Sequence, residues 1–255
     1  MRERGYTDRD LMVIAGAREI GDAEVVFVGM RLPLLAFALA KRTHAPHAVG
    51  LFENGIVRDQ ASDALLRTMS DPPNVHGALW VTSTAGIMSL LGQGLVDIGF
   101  IGAAEVDRFG NLNTSYIGDW RHPSVKLPGS GGAADIASLA RRFVVIMPHE
   151  RHRFVERVSY VTSPGFGDGA GWRERVGLPR GGPVAVITTL GILRFDAKTR
   201  QAYLASYHPG RSVDEIVRET GWPLAVASDV RETPAPTDAE LAGARACDPA
   251  RFWTG

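Results

Sequence analysis

The sequence predicts an α/β fold with an open, mostly parallel sheet that has helices on both faces and an antiparallel C-terminal portion. Three observations lead to this prediction. Apolar runs of strand length alternate with helical segments, a spacing typical of parallel strands joined by right-handed crossovers. These runs lack polar alternation, as expected for strands that are covered on both faces. After about Gly181, short strands follow one another without intervening helices, which indicates an antiparallel meander.

The first part of the chain is predicted to contain two helices and two strands. Thr7 and Asp10 form a variant of the capping box that opens a helix to about Ile20, and Gly21 ends that helix. The β-branched run at 24–28 predicts a strand. A Leu- and Ala-rich helix and a second strand are expected next, at 34–41 and 48–52.

The middle of the chain has a less regular pattern. Residues 55–76 are polar and irregular, so no helix or strand is predicted there. Residues 102–113 are expected to form a loop. The regular elements predicted around these loops are helices within 82–91 and 131–142 and strands at 97–101 and 143–147.

The antiparallel meander is predicted to begin the last part of the chain. Its strands are expected at 184–188, 192–195 and 202–207, and helices follow at 213–220, capped by Ser212, and at 239–246. The Gly- and Pro-rich segment 163–182 also carries aromatic residues, which favours a packed loop over a free linker. Residues 1–255 are therefore predicted to form a single domain.

Composition excludes several classes of protein. The chain has 255 residues with 28 basic and 28 acidic side chains, so its formal net charge is zero. That balance gives no support for a nucleic-acid partner or an acidic membrane surface. The single Cys247 rules out an internal disulfide and a cysteine-rich zinc site, and it suits a reducing cytoplasm. The charged start at 1–5 and the lack of about 18 consecutive apolar residues predict neither a signal peptide nor a membrane span.

The first candidate site is Glu53, which directly follows the strand predicted at 48–52. Asn54 and Gly55 come next, and an Asn-Gly pair readily adopts positive φ, so the chain can reverse there. Ligands of open α/β sheets bind outside the carboxyl ends of the strands. A carboxylate at that position can act as a nucleophile or a base, although most glutamates beside turns are simply solvated.

A second candidate segment follows the strand predicted at 97–101. Gly102 and Ala103 lie at the strand end, where the small side chains let a ligand approach the backbone closely, and Glu105 comes just beyond. The turn-forming residues at 107–111 favour a purely structural tight turn about equally well.

The third candidate is a glycine-rich turn before the helix predicted at 131–142. Gly129, Gly131 and Gly132 can expose backbone N–H groups that hold a phosphate or an oxyanion. The spacing matches neither the Walker motif nor the dinucleotide fingerprint, and a structural turn is the alternative.

No pattern in the sequence indicates a metal site. His149 and His152 are three residues apart, unlike the i, i+4 pair of zinc peptidases. The segment 149–153 is therefore interpreted as a solvated charged stretch that follows a strand. The sequence also lacks a Gly-x-Ser-x-Gly nucleophile elbow, so it does not support a serine hydrolase of the usual kind.

Several of these motifs, in this order, resemble the class I coenzyme A transferase family, and in particular its glutaconate-type β subunits. The resemblance covers about residues 6–249. It rests on Glu53 before a turn and on the segments 32–34, 102–111, 129–133, 160–165 and 191–196.

The resemblance implies the fold of the CoA-transferases and a nucleophilic role for Glu53. The family's mechanism is ping-pong and proceeds through a glutamyl-CoA thioester. Asn54, Gly55 and the candidate residues around 102–105 and 129–132 would then bind the substrate or CoA. Coenzyme A would be a substrate, with no tightly bound cofactor, and a separate α subunit would complete an α2β2 enzyme.

One residue departs from the family pattern and leaves alternatives open. The family commonly has Gln where this chain has Glu105, and a carboxylate beside Glu53 would raise a pKa and suit proton transfer. An acyl-CoA hydrolase or decarboxylase on the same scaffold is therefore an alternative to the transferase, and a non-catalytic partner subunit is another. The family's glycine-rich oxyanion segment of the α half is not found in this sequence.

Overall fold

A computed structural model describes residues 5–178 and 180–255; the charged start at 1–4 therefore lies outside the described residues. The helices are α1 Asp8–Arg18, α2 Leu32–Arg42, α3 Pro72–Val75, α4 Thr84–Gly92, α5 Ala133–Leu139, α6 Trp172–Arg175, α7 Val213–Arg218 and α8 Asp238–Cys247. The strands are β1 Val25–Phe27, β2 Val49–Phe52, β3 Ile56–Arg58, β4 Trp80–Val81, β5 Ile98–Ile101, β6 Glu105–Val106, β7 Leu112–Asn113, β8 Tyr116–Gly118, β9 Pro123–Lys126, β10 Arg142–Ile146, β11 Pro183–Ile187, β12 Gly191–Phe195, β13 Ala202–Tyr207 and β14 Ala225–Glu232.

The chain forms two compact units, one made of the residues up to Phe100 with Pro234–Gly255 and the other of Ile101–Thr233. In the first unit the strand order is β5-β1-β2-β3-β4. Strand β1 pairs in parallel with both β2 and β5, whereas β3 and β4 extend the sheet in the antiparallel sense. The carboxyl ends of β1, β2 and β5 therefore lie at the same edge.

Three helices of the first unit pack together: α1 against α2, and α8 against both. The capping box predicted for α1 is confirmed, because the Thr7 hydroxyl accepts from the Asp10 N–H at 3.1 Å while the Asp10 carboxylate accepts from the Thr7 N–H at 2.8 Å. Satisfying two N–H groups at a helix start in this way is worth about 1 kcal/mol.

The second unit contains the predicted antiparallel meander. Its strand order is β14-β13-β12-β11-β10. The meander consists of β11, β12 and β13, and β12 runs antiparallel to both of the others. Strand β10 pairs in parallel with β11, and β14 pairs in parallel with β13. Two small hairpins, β6-β7 and β8-β9, stand apart from this order. The predicted α/β fold class, with an antiparallel C-terminal portion, is confirmed.

The prediction of irregular structure at 55–76 is wrong, because this segment contains β3 and α3. Residues 102–113 contain the hairpin β6-β7 in addition to loops, and β4, β8, β9 and β14 were not predicted. Most of these strands have two to four residues, which is too few for a periodic pattern to be visible in sequence. Within 5–178 and 180–255, the helices are all too short or too polar to cross a bilayer.

Candidate active site around Glu53

Glu53 lies in the three-residue loop between β2 and β3. Phe52 and Ile56 are the last paired residues of the two strands. The Gly55 N–H donates to the Phe52 carbonyl at 3.0 Å, and Gly55 has φ of 104°. This geometry fits a tight turn that ends in a glycine at positive φ, a common three-residue hairpin loop. The Asn-Gly pair thus reverses the chain as predicted and leaves Glu53 immediately after the carboxyl end of a buried parallel strand.

Gly55 fixes this hairpin against the segment that leads into α4. A Cβ atom on Gly55 would lie 2.2 Å from the Thr82 carbonyl oxygen, so no side chain fits there. The Thr82 N–H donates to the Gly55 carbonyl at 2.7 Å. The next residue, Ser83, caps α4 by accepting from the Gly86 N–H at 3.2 Å. The start of α4 is therefore tied directly to the turn that carries Glu53.

Asn54 anchors the other side of the turn. Its Nδ2 donates to the Met69 carbonyl at 2.9 Å and lies 3.4 Å from the Ser70 hydroxyl. Its Oδ1 is buried and has no hydrogen-bond partner among the described residues. Buried polar atoms are nearly always hydrogen-bonded, so this orphaned acceptor beside Glu53 is a candidate contact for a bound substrate.

Glu53 is half-buried, and its carboxylate has no partner within the described chain. Among residues 5–178 and 180–255, no hydrogen bond or ion pair engages it. A carboxylate that is to attack a substrate must not be held by strong donors of its own chain, since each such bond lowers its reactivity. The free state of Glu53 is therefore compatible with a nucleophilic role.

The carboxylate of Glu105, unlike that of Glu53, is held by hydrogen bonds from its own chain. It is buried in β6, opposite Asn113 of β7. Its Oε2 accepts from Asn113 Nδ2 at 2.7 Å and from the Ser159 N–H at 2.9 Å, while its Oε1 accepts from the Ser159 hydroxyl at 3.2 Å. A buried carboxyl group that accepts three hydrogen bonds from its own chain needs no ligand to satisfy it. These contacts give Glu105 a structural role in holding the β6-β7 hairpin to the Ser159 segment.

Gly102 and Ala103 follow β5, as predicted. Gly102 is exposed, and the nearest atom to a Cβ placed on it is the Ile146 carbonyl oxygen at 3.7 Å. That is an ordinary contact distance, so packing does not require glycine at this position. The small residue keeps open the space outside the strand end, and the approach of a ligand to this backbone stays a prediction.

The glycine-rich turn before α5 has both bonded and free N–H groups. The Gly129 N–H donates to the Thr114 carbonyl at 2.8 Å and Gly129 has φ of 98°. In the described structure the N–H groups of Gly131 and Gly132 have no acceptor. Gly131 is exposed whereas Gly132 is buried, so the Gly131 N–H is the better placed of the two to donate to a ligand.

The prediction of a solvated charged stretch at 149–153 is confirmed for the exposed residues 150–152 but is wrong for His149. His149 is 5% exposed, stacks on Phe154 with ring centroids 3.8 Å apart, and lies 3.1 Å from the hydroxyls of both Thr188 and Thr220. Burial, reinforced by the neighbouring His208, lowers the pKa of His149 to about 3. The ring is neutral near pH 7 and serves a packed polar network rather than solvent.

Together, these features define the class of protein: an α/β protein with a free glutamate on a rigid turn at the carboxyl end of a parallel strand. Comparison with known proteins narrows this class. The family model for coenzyme A transferase matches residues 10–219. The B-type subunit of the 3-oxoadipate CoA-transferase of Pseudomonas knackmussii is 38% identical over 244 residues, which cover 95% of this chain and 94% of that protein.

Two solved structures are similar over nearly the whole chain. The glutaconate coenzyme A-transferase of Acidaminococcus fermentans superposes with a TM-score of 0.92 at 34% identity and covers 98% of both chains. The decarboxylase AibA/AibB superposes with a TM-score of 0.84 at 30% identity and covers 97% of both chains. The chain belongs to the coenzyme A transferase family, and within it to the β-subunit type. The resemblance inferred from the motifs is confirmed.

Proposed function

We propose that this chain is the β subunit of a two-chain enzyme that moves coenzyme A between a short acyl-CoA and a carboxylic acid, with Glu53 as the nucleophile. One observation carries the proposal. In a chain of this family, Glu53 is half-buried, unpaired and held on a rigid turn at the carboxyl end of β2. Nothing in the described structure competes with a substrate for its carboxylate.

The reaction proceeds in four steps of acyl exchange. The Glu53 carboxylate attacks the thioester carbonyl, which gives an acyl-glutamyl anhydride and expels CoA as a thiolate. The thiolate attacks the glutamyl carbonyl, which forms the glutamyl-CoA thioester and releases the first acid as its carboxylate. The acceptor carboxylate then attacks this thioester and forms a new anhydride with release of the thiolate. Attack of the thiolate on the new acyl carbon gives the second acyl-CoA and restores Glu53.

Each of these attacks develops negative charge on a carbonyl oxygen, which needs donors positioned in advance. We propose contacts with the substrate or CoA for each unit by itself: Asn54 and Gly55 in the first unit, and Gly102, Ala103 and the free N–H groups of Gly131 and Gly132 in the second unit. Gly129 and Glu105 belong to the same predicted set, but their own polar groups are engaged within the chain. Their contribution is to shape the segments that carry the other groups.

The remaining parts of the proposal follow from the relatives. The similar proteins are named for 3-oxoadipate and glutaconate, and both acids are short dicarboxylates, so a short dicarboxylic or branched acyl group is proposed. The 3-oxoadipate relative is named as one subunit of its enzyme, which implies a partner chain; an α subunit in an α2β2 assembly is proposed here. Coenzyme A is the proposed substrate, and a cytoplasmic location is proposed from the single Cys247.

A second candidate function is hydrolysis or decarboxylation of a CoA ester. The likeness to the decarboxylase AibA/AibB favours it, as does Glu105 at a position where the family commonly has Gln. Its weakness is that both oxygens of Glu105 already accept hydrogen bonds from within the chain. A free Glu53 and a saturated Glu105 together favour transfer over proton abstraction. A non-catalytic subunit is the further alternative.

Borohydride trapping tests the proposal. The co-expressed two-chain complex is incubated with an acyl-CoA, and the glutamyl-CoA thioester is reduced and located by tandem mass spectrometry. We expect reduction at Glu53 in the wild type and in Glu105→Gln, and none in Glu53→Gln, which also loses transfer. Consumption of the CoA ester without any modification of Glu53, and without an acceptor acid, would replace transfer by hydrolysis or decarboxylation.

A further inference from the structure

One segment of the first unit has no charged side chain although much of it faces solvent. Asp, Glu, Lys and Arg make up 22% of the chain, yet none occurs from Pro72 to Val96. The segment contains α3, β4 and α4. Helices and edge strands that face water normally carry charges, so the absence of charge here needs a physical reason.

Large apolar side chains are exposed in the same segment. Leu79 is 61% exposed, Val81 56%, Trp80 48% and Val75 47%. Strand β4 ends the strand order of the first unit, and among the described strands its one partner is β3. We call these four side chains, with the exposed first turn of α4, the uncharged face.

Helix α4 continues the uncharged face. Only Ile87 and Leu91 of this helix are buried, and its remaining residues are small, apolar or hydroxyl-bearing. Ser83, Thr84 and Ala85 at its start are exposed. Exposed apolar side chains without charges are typical of the centre of a protein interface, where charged residues are depleted.

The uncharged face leads directly to the Glu53 turn. The Thr82 N–H, between β4 and α4, donates to the Gly55 carbonyl at 2.7 Å. A chain that covers β4 and the start of α4 therefore borders the turn that carries the nucleophile. Such a chain also removes water from one side of Glu53, which strengthens every electrostatic interaction there.

We infer that the uncharged face is the docking surface for the α subunit of the two-chain enzyme, which is called the A-type subunit below. The inference rests on the proposed function, since it assigns the place where the missing half of the active site joins this chain. A second copy of this chain is the less suitable occupant. A two-fold contact would bring two Glu53 turns to one interface, and residues 72–96 contain no lysine or arginine to neutralise them.

Charge insertion tests the inference. Leu79→Lys and Val81→Lys are introduced together, because both side chains are more than half exposed and their replacement costs the fold little. Val176→Lys is the matched control, at 50% exposure in the second unit. Each variant is co-expressed with the A-type subunit from the same source, and the dissociation constant of the complex is measured by mass photometry on dilution.

We expect the double variant to weaken the complex at least 30-fold and Val176→Lys to leave it within a factor of two. Wild-type affinity in the double variant overturns the inference. It is also overturned if the double variant abolishes self-association of this chain and leaves binding of the A-type subunit intact.

A second measurement does not depend on the folding of a charged variant. A photo-cross-linking phenylalanine analogue replaces Trp80 in the complex, with the same replacement at Val176 as control. We expect a product with the A-type subunit from position 80 alone; a product with a second copy of this chain overturns the inference.

Failure of the proposed function is separable from failure of this inference. Glu53→Gln leaves the uncharged face intact and should bind the A-type subunit with wild-type affinity while it loses transfer. If Glu53→Gln retained full transfer, the nucleophile would be wrong although the docking surface could still stand on the binding data.

Discussion

Replacement of Gly55 by alanine should disturb both the fold and the reaction. Gly55 has φ of 104°, and its missing Cβ would lie 2.2 Å from the Thr82 carbonyl oxygen and 2.8 Å from the carbonyl carbon. A left-handed backbone conformation costs a non-glycine residue about 1–2 kcal/mol. Forcing extra volume into a packed site costs about another 1–3 kcal/mol. Gly55→Ala should therefore lower the free energy of unfolding by about 2–5 kcal/mol.

Gly77→Ala is the matched control for this prediction. Gly77 also has positive φ, 68°, but the nearest atom to its Cβ position is Arg58 Nη2 at 3.9 Å, the far end of a side chain. Gly77→Ala should lose only the conformational part, about 1–2 kcal/mol. The difference between the two variants then measures the contact between Gly55 and Thr82.

Urea unfolding followed by circular dichroism gives both free energies, and the transfer assay of the co-expressed complex gives the functional effect. Because the alanine pushes the turn away from Thr82, we expect Gly55→Ala to reduce turnover at least tenfold, whereas Gly77→Ala should retain most of it. Equal free energies for the two variants would refute the argument that the Thr82 segment fixes the turn. Normal turnover in Gly55→Ala would refute the link between that contact and the position of Glu53.

Two further predictions follow from the buried polar groups. The pKa of His149 is about 3 in the folded chain and 6.5 in the reference state, so the unfolded chain binds more protons between these values. The contribution of His149 to the free energy of unfolding should be complete above pH 6.5 and fall by up to about 5 kcal/mol as the pH drops to 3. Urea unfolding at several pH values should show a flatter pH dependence for His149→Asn. An unchanged pH dependence in this variant would contradict the prediction. Glu105→Gln should lower the free energy of unfolding by about 1–2 kcal/mol, because it removes one hydrogen-bond acceptor, but it should retain transfer activity within a few-fold. Loss of transfer activity with normal stability would give Glu105 a chemical role.

The sequence was sufficient where a local rule decides the structure. The capping box of Thr7 and Asp10, the Ser212 cap of α7 and the apolar parallel strands all depend on residues that are near in sequence. The turn after Glu53 was predictable for the same reason, since Asn54 and Gly55 determine it within four residues. Strands such as β4 and β6 have two residues each and form only because a neighbouring strand is already in place.

The environments of the candidate side chains depend on distant residues and could not be predicted. The donors to Glu105 come from Asn113 and from Ser159, which is 54 residues away. His149 is buried against Thr188 and Thr220, which are 39 and 71 residues away. Residue type and spacing showed that these groups could titrate or bind, but only the tertiary structure shows which polar atoms are already engaged.

That distinction decides between the candidate reactions. A hydrolase or decarboxylase that used Glu105 would need this carboxylate to exchange a proton, and it would first have to release three donors in a buried site, at about 1–3 kcal/mol for each group left unpaired. Glu53 needs no such rearrangement, because no group of the described chain holds it. Its turn is fixed by Gly55 against Thr82, and the adjoining face has no charge of its own to compete with a substrate. Covalent transfer through Glu53 therefore requires the least change of the folded chain.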